Sequence, residues 1–491
     1  MPEVLRKGNA GSALTATRAK KENVEIMSQP PASIEQKILR LNLDPSRYGT
    51  IAEIGAGQEV ARSFFRVGGA AGTVAKTMSA YDMKVSDAIY GSSSRYVSRE
   101  RLEAMLGHEF SLLTERLAGF RGHDTAFFAF AVTAAGRSFS RPEDGLAWAG
   151  IRFQHQPQQS PSDIVLHARL FDEESVLQQE ALGVLGVNLI HGACYLYQEP
   201  ERLVAELGDH LTRGRVELNL LELSGPAFAG VDTRRLNLQL IQRELSRAIL
   251  FHDGGRPVEP GSVLYKKPMV VIRGTFRPVL RVHVDILAAA VKQLRERSAS
   301  ADEVLSLAEI STKNLLDPAP YDPDDVLARV DTLTALGLPA LVTDLSEFYG
   351  LEEYLSRYSK REIAFAVGAK ILERALREEY YEKLDGGLLE GLGRLFKRRV
   401  RFVVYPSRQA GSSALLTAEN IEAPPHIRHL LRYLLDSRFV DLLPEYQEAH
   451  VGVTGAAALA DLQAGGRSWE AQVPETVTAL IKQRRLFGYP G

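Results

Sequence analysis

The chain has 491 residues, 45% hydrophobic and 24% charged, with a formal net charge of −2. This predicts about two to four domains with ordinary apolar cores and excludes a global field that would favour nucleic acid or an anionic membrane. A single cysteine, Cys194, excludes an intrachain disulfide and a cysteine-based zinc site, and fits a reducing, cytoplasmic setting.

Residues 1–31 are polar, rich in small residues and mix Arg6, Lys7, Arg18, Lys20 and Lys21 with acids, which predicts a flexible arm. The opening Met-Pro-Glu leads into no apolar run, so no secretory signal is expected. A mixed α+β domain is expected over 32–255. It starts with a capping-box pattern at Ser33 to Gln36, followed by a strand from Thr50 to Ile54 and a helix carrying Val60, Phe64 and Phe65. A helix is expected over 99–118. Strands at Ala126–Thr133, Leu146–Gln154 and Asp163–Leu170 form an antiparallel-like block.

Helices are expected at about 174–198 and 200–212, then a strand at Val216–Leu223 and a helix at Arg234–Phe251. The stretch Ala181–Tyr197 is apolar, but Asn188, His191 and three glycines interrupt it. It reads as a buried or subunit-facing helix rather than a membrane span.

After the turn cluster 252–257 the pattern alternates. Strands are expected near 263–272, 304–310, 339–343, 362–367 and 400–405, with helices at 283–297, 323–336, 345–358 and 369–383. This is the signature of a mostly parallel sheet with flanking helices over 256–416. A helical segment is expected over 417–491. The fold class is therefore α/β.

Three features carry possible chemistry. Glu53-Ile54-Gly55-Ala56-Gly57 places an acid and two glycines between a strand and a helix. That pattern is compatible with a tight turn, or with a cofactor loop such as that of S-adenosylmethionine methyltransferases, in which Glu53, Gly55 and Gly57 would bind the cofactor. A third glycine is missing. His426 and His429 share a helix face without a third ligand in view, so no metal is expected.

The third feature is a set of positions. Ligands of parallel α/β sheets bind beyond the carboxyl ends of the strands. The expected ends carry Arg273 and Arg277, Lys313, Lys370, and Arg408, with Asp344 at the remaining one. Cations are disfavoured at helix starts, so their recurrence points to a bound anion, for which phosphate suits arginine. Arg273, Arg277, Lys313 and Lys370 are the expected anion ligands and Asp344 the acid–base partner.

Ala52–Lys76, Gln179–Asn188, Leu264–Pro268 and Gly386–Phe396 together resemble a family of bacterial proteins of similar length. Its members carry the labels nicotinate- or nicotinamide-nucleotide adenylyltransferase, or TonB-dependent receptor. The resemblance spans most of the chain after residue 33. The first label implies a His-x-Gly-His phosphate loop, whereas His191-Gly192 is followed here by Ala193-Cys194. The second implies a signal peptide and a large outer-membrane barrel, neither of which the sequence suggests. The resemblance thus implies a family and assigns no catalytic residue.

The leading expectation is a cytoplasmic enzyme or ligand-binding protein for a phosphorylated small molecule or nucleotide. No nucleic-acid or membrane partner is expected, and the cofactor is open. The alternatives are a scaffold protein that self-associates through 181–197 and the N-terminal arm, and, more weakly, a methyltransferase.

Overall fold

The computed structural model describes residues 31–55, 57–137, 143–297, 303–313, 321–396, 399–408, 414–443 and 445–491. The expected arm, apart from Pro31, lies outside them. Ser33 caps the first helix as its sequence suggests. Its hydroxyl accepts the Gln36 N–H at 3.2 Å, and the Gln36 side chain accepts the Ser33 N–H at 2.8 Å.

The first half contains α1 (Ile34–Asn42), β1 (Arg47–Ile54), α2 (Glu59–Val67), β2 (Val74–Met78), α3 (Met83–Tyr90) and α4 (Arg99–Arg121). It continues with β3 (Ala126–Ala135), β4 (Gly145–Phe153), β5 (Ser162–Leu170), α5 (Ser175–Tyr195), α6 (Pro200–Leu207), β6 (Val216–Ser224) and α7 (Thr233–Gln242). These strands form one sheet in the order β2-β1-β3-β4-β5-β6. β1 runs parallel to both of its neighbours, and β3 to β6 are antiparallel.

Alternation along β3 covers both faces of this sheet. Phe127, Ala129 and Ala131 pack on the α4 side, and Phe128, Phe130 and Val132 on the α5 side. Ala181 to Tyr197 is buried or half-buried against the chain's own α1, α2, α6 and β4, so one chain already satisfies this apolar run. No helix among the described residues is long and apolar enough to cross a membrane.

The second half contains β7 (Ala248–His252), β8 (Arg256–Val258), α8 (Pro260–Leu264), β9 (Met269–Arg273), α9 (Arg281–Arg297), β10 (Leu305–Ser311) and α10 (Pro323–Thr334). Next come β11 (Ala340–Thr343), α11 (Phe348–Leu355), β12 (Ile363–Gly368), α12 (Ala369–Ala375), α13 (Gly387–Leu395) and β13 (Val400–Tyr405). The two short strands β14 (Ser407–Arg408) and β15 (Leu415–Leu416) pair with each other. The chain ends with α14 (Arg428–Asp436), β16 (Val440–Leu442), α15 (Gly455–Gln463), α16 (Ser468–Gln472) and α17 (Glu475–Arg484).

The second sheet has the order β16-β13-β12-β9-β10-β11-β7-β8. Its first six strands are parallel, and β7 and β8 add an antiparallel edge. Counted in chain order, the six parallel strands run 3-2-1-4-5-6 across the sheet, the doubly wound arrangement. Both faces are buried, as such sheets require. Val270, Ile272, Ala308 and Ala366 face one core, and Met269, Val271, Leu307 and Phe365 face the other.

Three departures from the sequence expectation lie in the second sheet and the segment leading into it. The helix expected over Arg234–Phe251 stops at Gln242, where Glu244 takes a left-handed φ of 57°, and Ala248–His252 becomes a strand. The strand expected from 263 begins only at Met269, because α8 and the left-handed Lys266 precede Pro268. The tail expected to be helical also supplies β16, the sixth parallel strand.

Candidate functional site

In a doubly wound sheet the crevice opens where successive crossovers leave in opposite directions. Here that point lies between β9 and β12. A cavity of about 440 Å³ sits there, within the usual size range for small-molecule sites. The segments after β9 (Arg273–Thr275), β12 (Gly368–Ile371) and β13 (Pro406–Arg408) line it. Val282, His283 and Ile286 of α9, and the loop His450–Thr454, line it as well. Phe348, Tyr380, Tyr381 and Tyr405 give it aromatic walls.

Two expected anion ligands, Arg273 and Lys370, reach this cavity, but they differ electrostatically. Arg273 is already engaged. Its Nε and Nη2 donate to the fully buried Glu309 at 2.5 and 3.1 Å, and its Nη1 and Nη2 donate to the Ser346 and Leu345 carbonyls at 2.5 and 3.0 Å. Its guanidinium also lies 4.8 Å from the Phe348 ring centroid.

Lys370 makes no ion pair or side-chain hydrogen bond among the described residues, and neither does Arg374 four residues on, which also lines the cavity. Residues at this spacing share a helix face, and like charges there repel. Lys370 also stands in the first turn of α12, where the helix dipole disfavours a cation. Arg408 lines the same cavity and pairs with Glu448. Glu347 is the one carboxylate among the described lining residues.

The remaining expected site residues lie outside the cavity lining. Arg277 pairs with Asp325 of α10, with Nε 2.7 Å from Oδ1. Lys313 Nζ is 3.5 Å from Asp344 Oδ2. Asp344 also receives Arg213, and Arg247 stands 4.0 Å away. Three cations thus surround the residue expected to be an acid–base partner, away from the cavity. Asn314, beside Lys313, lies outside the described residues.

At the N-terminal loop, Glu53 points inward. It accepts the N–H groups of Val60 and Ala61 at 3.2 and 3.0 Å, and so caps the first turn of α2 from the preceding strand. Burial pushes its carboxyl up to about 7, against those two stabilising bonds. Gly55 has φ 76°, and a Cβ there would meet the Ala134 carbonyl oxygen at 2.0 Å. Gly57 has φ 70° and lies against Gln179. The local geometry accounts for all three residues as a tight strand-to-helix turn. Among the described residues, no group of three His, Cys, Asp or Glu side chains could hold a metal.

Sequence reasoning missed Arg374, His283 and His450. The spacing of Lys370 and Arg374 was readable as a like-charge pair on one helix face. The histidines gave no such signal, because α9 and the loop at 450 meet only in the folded chain. His450 Nδ1 lies 3.6 Å from Asp285 Oδ2, and the Tyr405 hydroxyl donates to that same oxygen. Burial, and then this bond, raise the Tyr405 phenol above its ordinary range.

No protein-family model and no curated protein matches the chain. Among solved structures, it is similar to competence/damage inducible protein CihA from Agrobacterium tumefaciens, at 18% identity and a TM-score of 0.25, covering 33% of this chain and 96% of that one. It is also similar to competence damage-inducible protein A (ComA) from Klebsiella pneumoniae, at 12% identity and a TM-score of 0.24, covering 32% and 92%. A third is the CinA superfamily protein from Enterobacter cloacae, at 11% identity and a TM-score of 0.24, covering 34% and 95%. Likenesses of this extent carry no functional argument.

Proposed function

We propose that the chain binds a phosphorylated small molecule or nucleotide in the cavity between β9 and β12, as an enzyme or a binding protein. The observation that carries this reading is the pair Lys370 and Arg374. Two cations on one helix face, one of them at a helix start, stand in the cavity without an acid partner among the described residues. Such an arrangement costs free energy in the empty protein and is relieved by an anion. The aromatic walls suit an apolar or planar remainder of the ligand.

The anion ligands of this reading are Lys370 and Arg374, with Arg408 beside them. Arg273 holds the cavity wall rather than the ligand. A thermal-shift screen of phosphorylated metabolites and nucleotides tests the reading. A ligand with a Kd of about 10 μM, added at about 1 mM, stabilises the fold by about 2.7 kcal/mol. A screen in which no phosphorylated compound raises the Tm would remove the reading.

A further inference from the structure

His283 is the third residue of α9 and lines the cavity. The backbone N–H of Leu280 donates to its Nδ1 at 3.0 Å, while the His283 N–H returns to the Leu280 carbonyl at 3.0 Å. The pair closes the start of the helix in the manner of a capping box. This bond fixes the tautomer. Only an unprotonated Nδ1 accepts a backbone N–H, so the ring proton sits on Nε2. An imidazolium would set two N–H groups against each other.

The surroundings act in the same direction. The Phe276 ring meets the imidazole edge-on at 5.0 Å, Val282 and Ile286 of the same helix line the cavity with it, and desolvation pushes His283 down to about 4. Nε2 has no hydrogen-bond partner among the described residues. The cavity therefore carries a fixed, uncharged donor in addition to its cations. A phosphate is already matched by Lys370 and Arg374. A neutral donor held in one tautomer suits an uncharged acceptor, and a carbonyl oxygen is the commonest of these.

We propose that His283 is a specificity-determining residue whose Nε2–H reads a carbonyl oxygen on the ligand. The ligand class is then a phosphorylated molecule bearing an oxo or amide group, such as a nucleotide with an oxo-substituted base. This rests on the reading of the cavity as a phosphorylated-ligand site.

The test uses the full chain, two probes and two variants. Inorganic phosphate probes the cationic half alone, and uridine 5′-monophosphate adds ring carbonyls. Wild type is expected to bind both, the nucleotide more tightly. His283→Leu should weaken the nucleotide about tenfold, the scale of one neutral hydrogen bond, and leave phosphate within about twofold. His283→Gln keeps an acceptor for the Leu280 N–H and a donor for the ligand, so it should restore most of the nucleotide affinity.

Nitrogen NMR of the wild-type imidazole should show the Nε2–H tautomer, with that proton moving downfield on adding uridine 5′-monophosphate and staying put with phosphate. Phosphate binding without any gain from the nucleotide would overturn the carbonyl assignment and leave the anion site standing. Binding of neither probe would overturn both. Should His283→Leu fail to fold, an Nδ1–H tautomer, or an unmoved Nε2 proton in the nucleotide complex, would overturn the proposal by itself.

Discussion

Arg273 and Glu309 stand directly opposite each other on β9 and β10, joined by two hydrogen bonds, with Thr343 of β11 donating to the same carboxylate at 2.6 Å. With Thr343 the pair links three neighbouring parallel strands, and Arg273 extends it to the cavity lining. Glu309 is fully buried, so Arg273→Ala would leave a charge without its partner. The expected loss is about 3–5 kcal/mol of stability. It should be equal in melts with and without millimolar phosphate, since Arg273 commits four of its five N–H groups to Glu309, Leu345 and Ser346. Arg277→Ala breaks a partly buried pair with Asp325, which keeps Arg329 as a partner, and should cost about 1 kcal/mol.

Lys370→Ala and Arg374→Ala should behave in the opposite way. Each should weaken binding of a phosphorylated ligand by about 1.5–3 kcal/mol, the usual scale for a charged hydrogen bond. The ligand-free Tm should hold or rise slightly, because the like-charge repulsion along α12 is relieved. Calorimetric titration beside ligand-free melts checks both halves. A large loss of ligand-free stability would show that these cations hold the fold instead.

Gly55→Ala should be the most damaging substitution in the N-terminal loop. Its positive φ disfavours any Cβ, and the new atom would collide with the Ala134 backbone. A loss of about 2–4 kcal/mol is expected, read as a lower denaturant midpoint at unchanged slope. Gly57→Ala should cost less, since the obstructing atom is the end of the flexible Gln179 side chain.

Glu53 gives the fold a pH dependence of definite sign. Its carboxyl is raised from an ordinary value of 4.5 to about 7 by burial, so the folded chain holds the proton more tightly than the unfolded one. The associated stability is full below about pH 4.5 and is lost as pH rises through about 7. The span is on the order of 3 kcal/mol at most. Glu53→Gln keeps an acceptor for Val60 and Ala61 and carries no charge. The stability difference between wild type and variant should therefore shift against wild type from pH 5 to pH 8. Parallel curves across that range would show that Glu53 does not titrate there.

Five of the six parallel strands of the second half were legible because each is a short apolar run, and four of them lead into a helix. Their cationic ends were legible too, because each follows its strand directly in the sequence. The partners of those cations were not. Glu309 lies 36 residues from Arg273, and Asp325 lies 48 from Arg277, with no local spacing to link them. A charge's meaning at a strand end depends on what the next strand carries, and strand order is a property of the fold. β16 was hidden because three residues are too few to show a period. β7 was hidden because the four apolar residues Ala248 to Phe251 fit a buried strand and a helix end equally well.

β7 pairs with β11 through Ala248 to Phe251, and β8 closes on β7. The last two strands of the second sheet therefore come from the segment that leaves the first half. A fragment beginning at Arg256 would lack β7 and expose the full hydrogen-bonding edge of β11, whose four residues are all buried in the intact chain. An uncovered apolar edge of this kind recruits other strands. The second half expressed from Arg256 should aggregate, whereas the same half begun ahead of Ala248 carries its own edge protection.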